Sequence, residues 1–365
     1  MDQAVAIQVD RSDFRRVRTV SQTLPAPEAG EVVARVERFG LTSNNVTYAQ
    51  YGDEIGYWGF YPAQDPWGHV PVWGFAEIVS SAHPDVSEGT RVWGFLPMAS
   101  HVRLRPGRVK PSGFVDAAPH RDPLPGLYNA YANTAADPEG MRGLEDARCL
   151  LFPLFVTSYV LADYLKDNDA FGARQVVIGS VSSKTGFGLA RLLRQDPDIT
   201  AETVGLTSPG NVAFVRTLDA CDRILTYGQE TDLDPDRETV FVDMSGDQAV
   251  HARLRRHLGG KLVKHIQVGA THWEAVGEGE APSAGPEPEF FFAPGQIAKR
   301  DAEWGNGEML RRANLASAGL ARDVSATLSI ETLDGPDAVS AAWLDLLDNR
   351  VSPARGLICR LADKG

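Results

Sequence analysis

Short apolar runs alternate with polar, helix-periodic stretches through the middle of this 365-residue chain. Gln175-Val-Val-Ile-Gly179, Glu202-Thr-Val-Gly-Leu-Thr207, Cys221-Asp-Arg-Ile-Leu-Thr-Tyr227, Thr239-Val-Phe-Val-Asp243 and residues 260–269 each predict a strand, and residues 187–194 predict a helix between the first two. Strands alternating with helices in this way predict a parallel, doubly wound sheet. Residues 1–150 read differently, with short strands, many aromatics and Pro/Gly turns, and they predict a β-rich unit with a polar excursion at 119–145. Residues 149–165 are the most apolar stretch. They carry Pro153 and Asp163 and reach only the lower end of the roughly 17 to 25 residues a membrane span needs, which predicts a buried helix. Residues 277–289 are acidic and rich in Pro and Gly, predicting a surface loop that does not pack, or a flap over a cleft. The helical stretch 337–347 would return to the first unit, and no internal repeat is evident.

The corner after Gln175–Gly179 carries the most specific chemistry. Ser180-x-x-Ser183-x-x-Gly186 follows a Gly-x-x-Gly-x-x-Gly spacing with serine at two of three positions. Small residues there let backbone amides and a helix N-terminus approach the pyrophosphate of a dinucleotide. The competing reading is a plain strand-to-helix turn with Ser183 as helix cap. A P-loop is disfavoured, because Ser183 rather than glycine precedes Lys184 and Gly179 stands one position too close. About 20 residues on, a NAD site would place a carboxylate against the ribose hydroxyl. This chain has Leu206, Thr207 and Ser208 there, so a 2′-phosphate meets hydroxyls and the nearby cations Lys184 and Arg216 instead of a repelling charge. NADP(H) is therefore expected over NAD, while the composition of 207–211 also suits a turn.

With these motifs in order, the chain resembles the zinc-independent medium-chain dehydrogenase/reductases, similar to quinone oxidoreductases and enoyl reductases, in a side branch of that superfamily. The likeness runs through Pro27-Glu-Ala-Gly-Glu-Val, Gly74-Phe-Ala-Glu-Ile-Val79, Gly89-Thr-Arg-Val-Trp-Gly94 and Leu151-Phe-Pro-Leu-Phe-Val-Thr157. It implies an α/β fold made of a GroES-like β-rich catalytic domain at 1–150, a Rossmann NADP-binding domain at 151–299 and a C-terminal segment 300–365 returning to the first domain. It further implies cofactor contacts at Thr157, Ser180, Ser182, Ser183, Lys184, Thr185 and Gly186, at Thr207, Ser208 and Tyr227, and at Gly246 and Gly269. The chain departs from the pattern where zinc-dependent members carry Cys and Gly-His-Glu, holding Thr42 and Gly68-His69-Val70, and where NADP-dependent relatives carry a lysine, holding Asn211. With Cys149, Cys221 and Cys359 scattered, no zinc site is expected.

For substrate, the resemblance points to Asn45 and Tyr48 beside the nicotinamide, as donors to an oxygen that gains charge during hydride addition. A turn at Asn44-Asn45 with a buried Tyr48 below it is the alternative. Six aromatic rings crowd residues 51–67; Tyr57, Trp58 and Trp67 are candidate pocket residues, with His69, Arg121 and Tyr128, and each also suits a core or a salt bridge. The expected function is an NADPH-dependent reductase of a small enone, quinone or carbonyl compound. An alcohol dehydrogenase of the same fold and an inactive NADPH-binding protein are the alternatives. A net charge of −12 argues against nucleic acid as a partner. The chain begins without a basic, apolar leader, and its few cysteines suit a reducing compartment. The expectation is thus a cytoplasmic monomer or homodimer, off the membrane, with a small-molecule partner.

Overall fold

The computed structural model describes residues 3–268 and 285–362. The chain divides into two units, one formed by residues 1–150 and 328–365, the other by Leu151–Thr327.

In the first unit the strands Ser329–Asp334, Arg355–Arg360, Val32–Leu41, Pro71–Ser81, Arg91–Pro97, Ala130–Asn133, Gly113–Asp116 and Pro106–Lys110 follow one another across a sheet, and His101–Leu104 also pairs with Val32–Leu41. A second sheet orders Val17–Thr23, Gln3–Asp10 and Trp67–Gly68. The C-terminal strands complete the larger sheet, with Leu357 opposite Leu41 and Cys359 opposite Phe39. The return to this unit falls at Leu328, not near residue 300. The helices Ala293–Trp304 and Glu308–Ser325 stay in the second unit, where Arg300 pairs with Asp163 at 2.7 Å and with Asp167 at 3.0 Å.

The second unit is a parallel sheet ordered Arg223–Thr226, Glu202–Thr207, Gln175–Gly179, Thr239–Asp243, Leu262–Gln267, Glu289–Phe290. Gln175–Gly179 and Thr239–Asp243 are buried throughout, which is why these central strands read as unbroken apolar runs rather than alternating ones. Strand order reverses between these two, and in open α/β sheets ligands bind beyond the carboxyl ends at that point. The acidic segment differs from expectation at its described end: Glu289–Phe290 adds to the sheet edge, and Arg255 pairs with Glu287 at 3.2 Å and donates to the Gly285 carbonyl. The apolar stretch forms the helix Glu145–Asp167, with Pro153 inside it. It is, among the described residues, the one helix long and apolar enough to cross a membrane, and just over half of its apolar window is buried in protein.

Candidate functional site

In the second unit the site is the corner between Gln175–Gly179 and the helix Lys184–Gln195. Ser180 stands at φ 51°, a conformation that favours glycine. Its N–H donates to the Tyr227 phenol oxygen at 2.9 Å, and its hydroxyl is directed to the same oxygen. Ser183 caps the helix, its Oγ accepting from the Gly186 N–H at 3.1 Å. Ser182 Oγ accepts from Asn211 Nδ2 at 3.3 Å, and the same amide group donates to Ser208 Oγ at 3.0 Å. Every hydroxymethyl group of the turn is thus engaged by a protein partner. Among the described residues, the Thr185 amide in the helix's first turn has no helical acceptor, and with the helix dipole it favours an anion. Gly186 permits the close turn, since a Cβ there would lie 2.7 Å from the Ser180 carbonyl oxygen. Lys184 is half-buried, and desolvation pushes its ammonium down to about 8.

Other expected cofactor residues gather less closely. Thr207 ends its strand with a buried hydroxyl that has no partner among the described residues, and its carbonyl accepts from the Tyr227 N–H at 3.0 Å. Thr157 turns its hydroxyl back to the Pro153 carbonyl at 3.1 Å. Its neighbour Ser158, which sequence reasoning missed, lies 2.8 Å from the Thr185 carbonyl oxygen and ties the long helix to the corner. Gly246, at φ 70°, lies in the loop after Thr239–Asp243, while Gly269 falls outside the described residues.

In the first unit, Tyr48, Tyr57 and Tyr128 come together. Tyr57 and Tyr128 join hydroxyls at 2.9 Å, and the rings of Tyr48 and Tyr57 are 4.6 Å apart. Trp73 Nε1 donates to Tyr48 Oη at 3.1 Å, and the Asn44 side chain hydrogen-bonds the same hydroxyl. Burial holds all three phenols well above the usual tyrosine range, so they stay protonated. The cluster rests on a repeat that the linear pattern conceals. Val72-Trp-Gly-Phe75 and Val92-Trp-Gly-Phe95 lie antiparallel with Gly74 opposite Gly94, which puts Trp73 and Trp93 on one face, stacked at 4.7 Å.

Five expected pocket or catalytic residues serve the fold instead. Asn45 is buried with both amide ends occupied: Oδ1 accepts from the Thr42 N–H at 2.8 Å and Nδ2 donates to the Pro71 carbonyl at 2.9 Å. At the third helical position it closes a capping box, which commits the side chain to the fold. Arg121 is 1% exposed, 2.9 Å from the Asp116 carboxylate and stacked on Tyr61 at 4.7 Å; it is neither a surface salt bridge nor open to a ligand. Trp58 is wedged against Gly52 and Gly68, where any side chain would overlap it. Trp67 lies under Arg18 at 4.2 Å. His69 meets Gln8 Nε2 at 3.1 Å through Nε2, and burial drives it down to about 4, so it is neutral near pH 7 and a poor base. Among the described residues, no group of three or more His, Cys, Asp or Glu is placed to hold a metal ion.

Solved structures share this architecture over essentially the whole chain. The human synaptic vesicle membrane protein VAT-1 homolog-like protein superposes with a TM-score of 0.55 at 15% identity, covering 100% of each chain. CurA from Vibrio vulnificus, solved in complex with NADPH, gives 0.60 at 9%, covering 99% of this chain and 100% of its own. The yhdH oxidoreductase from Salmonella enterica, solved in complex with NADP, gives 0.52 at 14%, covering 98% and 100%. At these identities the likeness is one of fold, a GroES-like β-rich unit and a Rossmann unit. A family model described as "Protein of unknown function (DUF2855)" matches residues 39–352. No curated protein matches the chain in sequence.

Proposed function

The chain belongs to the family described as "Protein of unknown function (DUF2855)", and from its fold and the corner at Ser180 we propose that it is an NADPH-dependent, metal-free reductase of a small enone, quinone or carbonyl compound. The observation that carries the reading is the corner at Ser180. Its hydroxyls are drawn onto Tyr227, Asn211 and the Gly186 amide, so the serines substituting for glycines leave the Thr185 amide at the helix start for a diphosphate. NADP(H) is favoured over NAD because residues 207–211 hold hydroxyl and amide groups and no carboxylate. CurA and yhdH, with NADPH and NADP in their structures, support the cofactor by analogy of fold.

Bound NADPH would supply a hydride, and the chain must stabilise and protonate what results. Hydride addition to the β-carbon of an enone, or to a carbonyl carbon, moves an electron pair onto oxygen, which then takes one proton. Tyr48 suits that role. Its oxygen accepts from Trp73 and Asn44, which leaves its own O–H for the substrate, and the same two donors would stabilise the phenolate left behind. Alcohol oxidation would need Tyr48 or His69 as a base at neutral pH, and burial opposes both. We place the protein in the cytoplasm, where its three free, buried cysteines stay reduced.

Fluorescence titration with NADPH and NADH, followed by NADPH oxidation across an enone, quinone and carbonyl panel, tests the reading. NADPH should bind the tighter, with turnover on part of the panel. Failure to bind either nucleotide would sink the proposal. Binding without turnover would leave the inactive NADPH-binding protein as the answer.

A further inference from the structure

Beneath the carboxyl end of the second unit's sheet lies a buried polar cluster that the proposed reaction does not use. Asp243, His251 and His265 are 2%, 5% and 2% exposed. The His251 and His265 rings are 4.1 Å apart, and His265 Nε2 stands 3.8 Å from Asp243 Oδ2, beyond hydrogen-bonding distance. Among the described residues, both ring nitrogens of His265 and Nε2 of His251 have no hydrogen-bond partner. Asp243 is engaged through its other oxygen. Oδ1 accepts from the Ser245 N–H at 2.7 Å and from its hydroxyl at 2.6 Å, and lies 3.0 Å from where a Cβ on Gly179 would stand. Ser245 in turn accepts from the Asp247 N–H at 3.2 Å, and Asp247 caps the helix Gln248–Leu258 that carries His251.

We propose that Asp243, His251 and His265 form an internal one-proton site, and that protonating it resets the loop 243–247 beside the cofactor corner and lowers cofactor affinity. The inference rests on the NADP(H) reading. Two imidazoles this close repel if both are charged, so the pair takes a single proton. An imidazolium at His265 is attracted across the 3.8 Å gap to Asp243 and draws the carboxylate from Ser245, whose two hydrogen bonds shape the loop. Among the described residues, the charged and titratable groups around the pair are Arg255 on the same helix as His251, its partner Glu287, and Tyr227 and Asp247 toward Asp243. Arg255 opposes a proton on His251 and Glu287 favours it. Desolvation, the largest effect, drives His251 from 6.5 down to about 4, so the site is empty at neutral pH and fills in acid.

The test is NADP+ binding to the full chain between neutral pH and about pH 4, in the parent, His251→Gln and His265→Gln. NADP+ survives acid, and the titration of its own 2′-phosphate, near pH 6, cancels between parent and variants. Both variants should match the parent at neutral pH, while the parent alone loses about a further twofold in affinity by about pH 4, where the site is half filled. Superimposable pH profiles would overturn the proposal. If neither variant folds, NMR titration of the parent decides: the ring signals of His251 and the Ser245 amide should shift with one shared midpoint, and an unmoved Ser245 amide is the contrary result. Absence of NADP+ binding at every pH would fail the cofactor reading instead, and the same NMR midpoint would still decide the proton site.

Discussion

The Ser180 N–H donates to the Tyr227 phenol oxygen at 2.9 Å while Ser180 itself stands at φ 51°, so a side chain beyond one strand steadies a left-handed residue at the end of another. Removing that oxygen strands the amide. Tyr227→Phe should cost roughly 1 to 3 kcal/mol, the penalty of an unmet buried donor, and should weaken NADPH binding, as read by denaturant unfolding and fluorescence titration. Unchanged stability and affinity would show that the clasp contributes nothing.

Ser180→Gly probes the same corner from the other side. A non-glycine residue in the left-handed region is strained by about 1 to 2 kcal/mol, so the glycine variant should lose that strain and melt a few degrees higher, with NADPH affinity equal or better. A lower melting temperature would mean that the serine hydroxyl's bond to Tyr227 outweighs the strain.

Asn45 and Tyr48 separate structure from chemistry within one short helix. Asn45→Ala removes the capping box and should destabilise the protein by about 1 kcal/mol while sparing kcat. Tyr48→Phe should lower kcat by about 10² to 10⁴, the usual range for a lost general acid, with a smaller change in KM. Equal loss of activity in both variants would contradict this division.

Lys184 links cofactor binding to pH. The fold lowers it from 10.5 to about 8, so between those values the unfolded chain holds more protons and stability rises with pH. A bound phosphate acts in the opposite sense by favouring the ammonium. NADPH binding should take up a proton near pH 8 and weaken as pH climbs through that value. Calorimetry in buffers of different ionisation enthalpy should register the uptake in the parent and lose it in Lys184→Met.

Arg121 should prove structural. Arg121→Ala leaves Asp116 buried and uncompensated, which should cost about 3 to 5 kcal/mol in chemical denaturation. An Arg121→Ala protein of parental stability that has lost substrate affinity would restore the residue to the pocket.

The linear order of apolar runs, turn residues and a capped helix was enough to predict the doubly wound sheet, the β-rich first unit and the corner at Ser180–Gly186, because burial and capping leave a local imprint. The absence of a carboxylate at 207–211 was equally legible, since a strand end lies at a countable distance from the turn. Side-chain fate was not. Asn44 and Asn45 are adjacent and chemically identical, yet one faces Tyr48 and the other is used up by Thr42 and Pro71, a choice made by helix phase and a neighbouring strand. Arg121 read as an exposed cation because only the folded turn Pro119–Arg121 swings it back onto Asp116 at the end of the preceding strand, and the matched Trp-Gly-Phe segments showed their purpose only when Gly74 met Gly94 across the sheet. Local sequence determined which elements form; pairing between distant segments decided which polar groups remain available for chemistry.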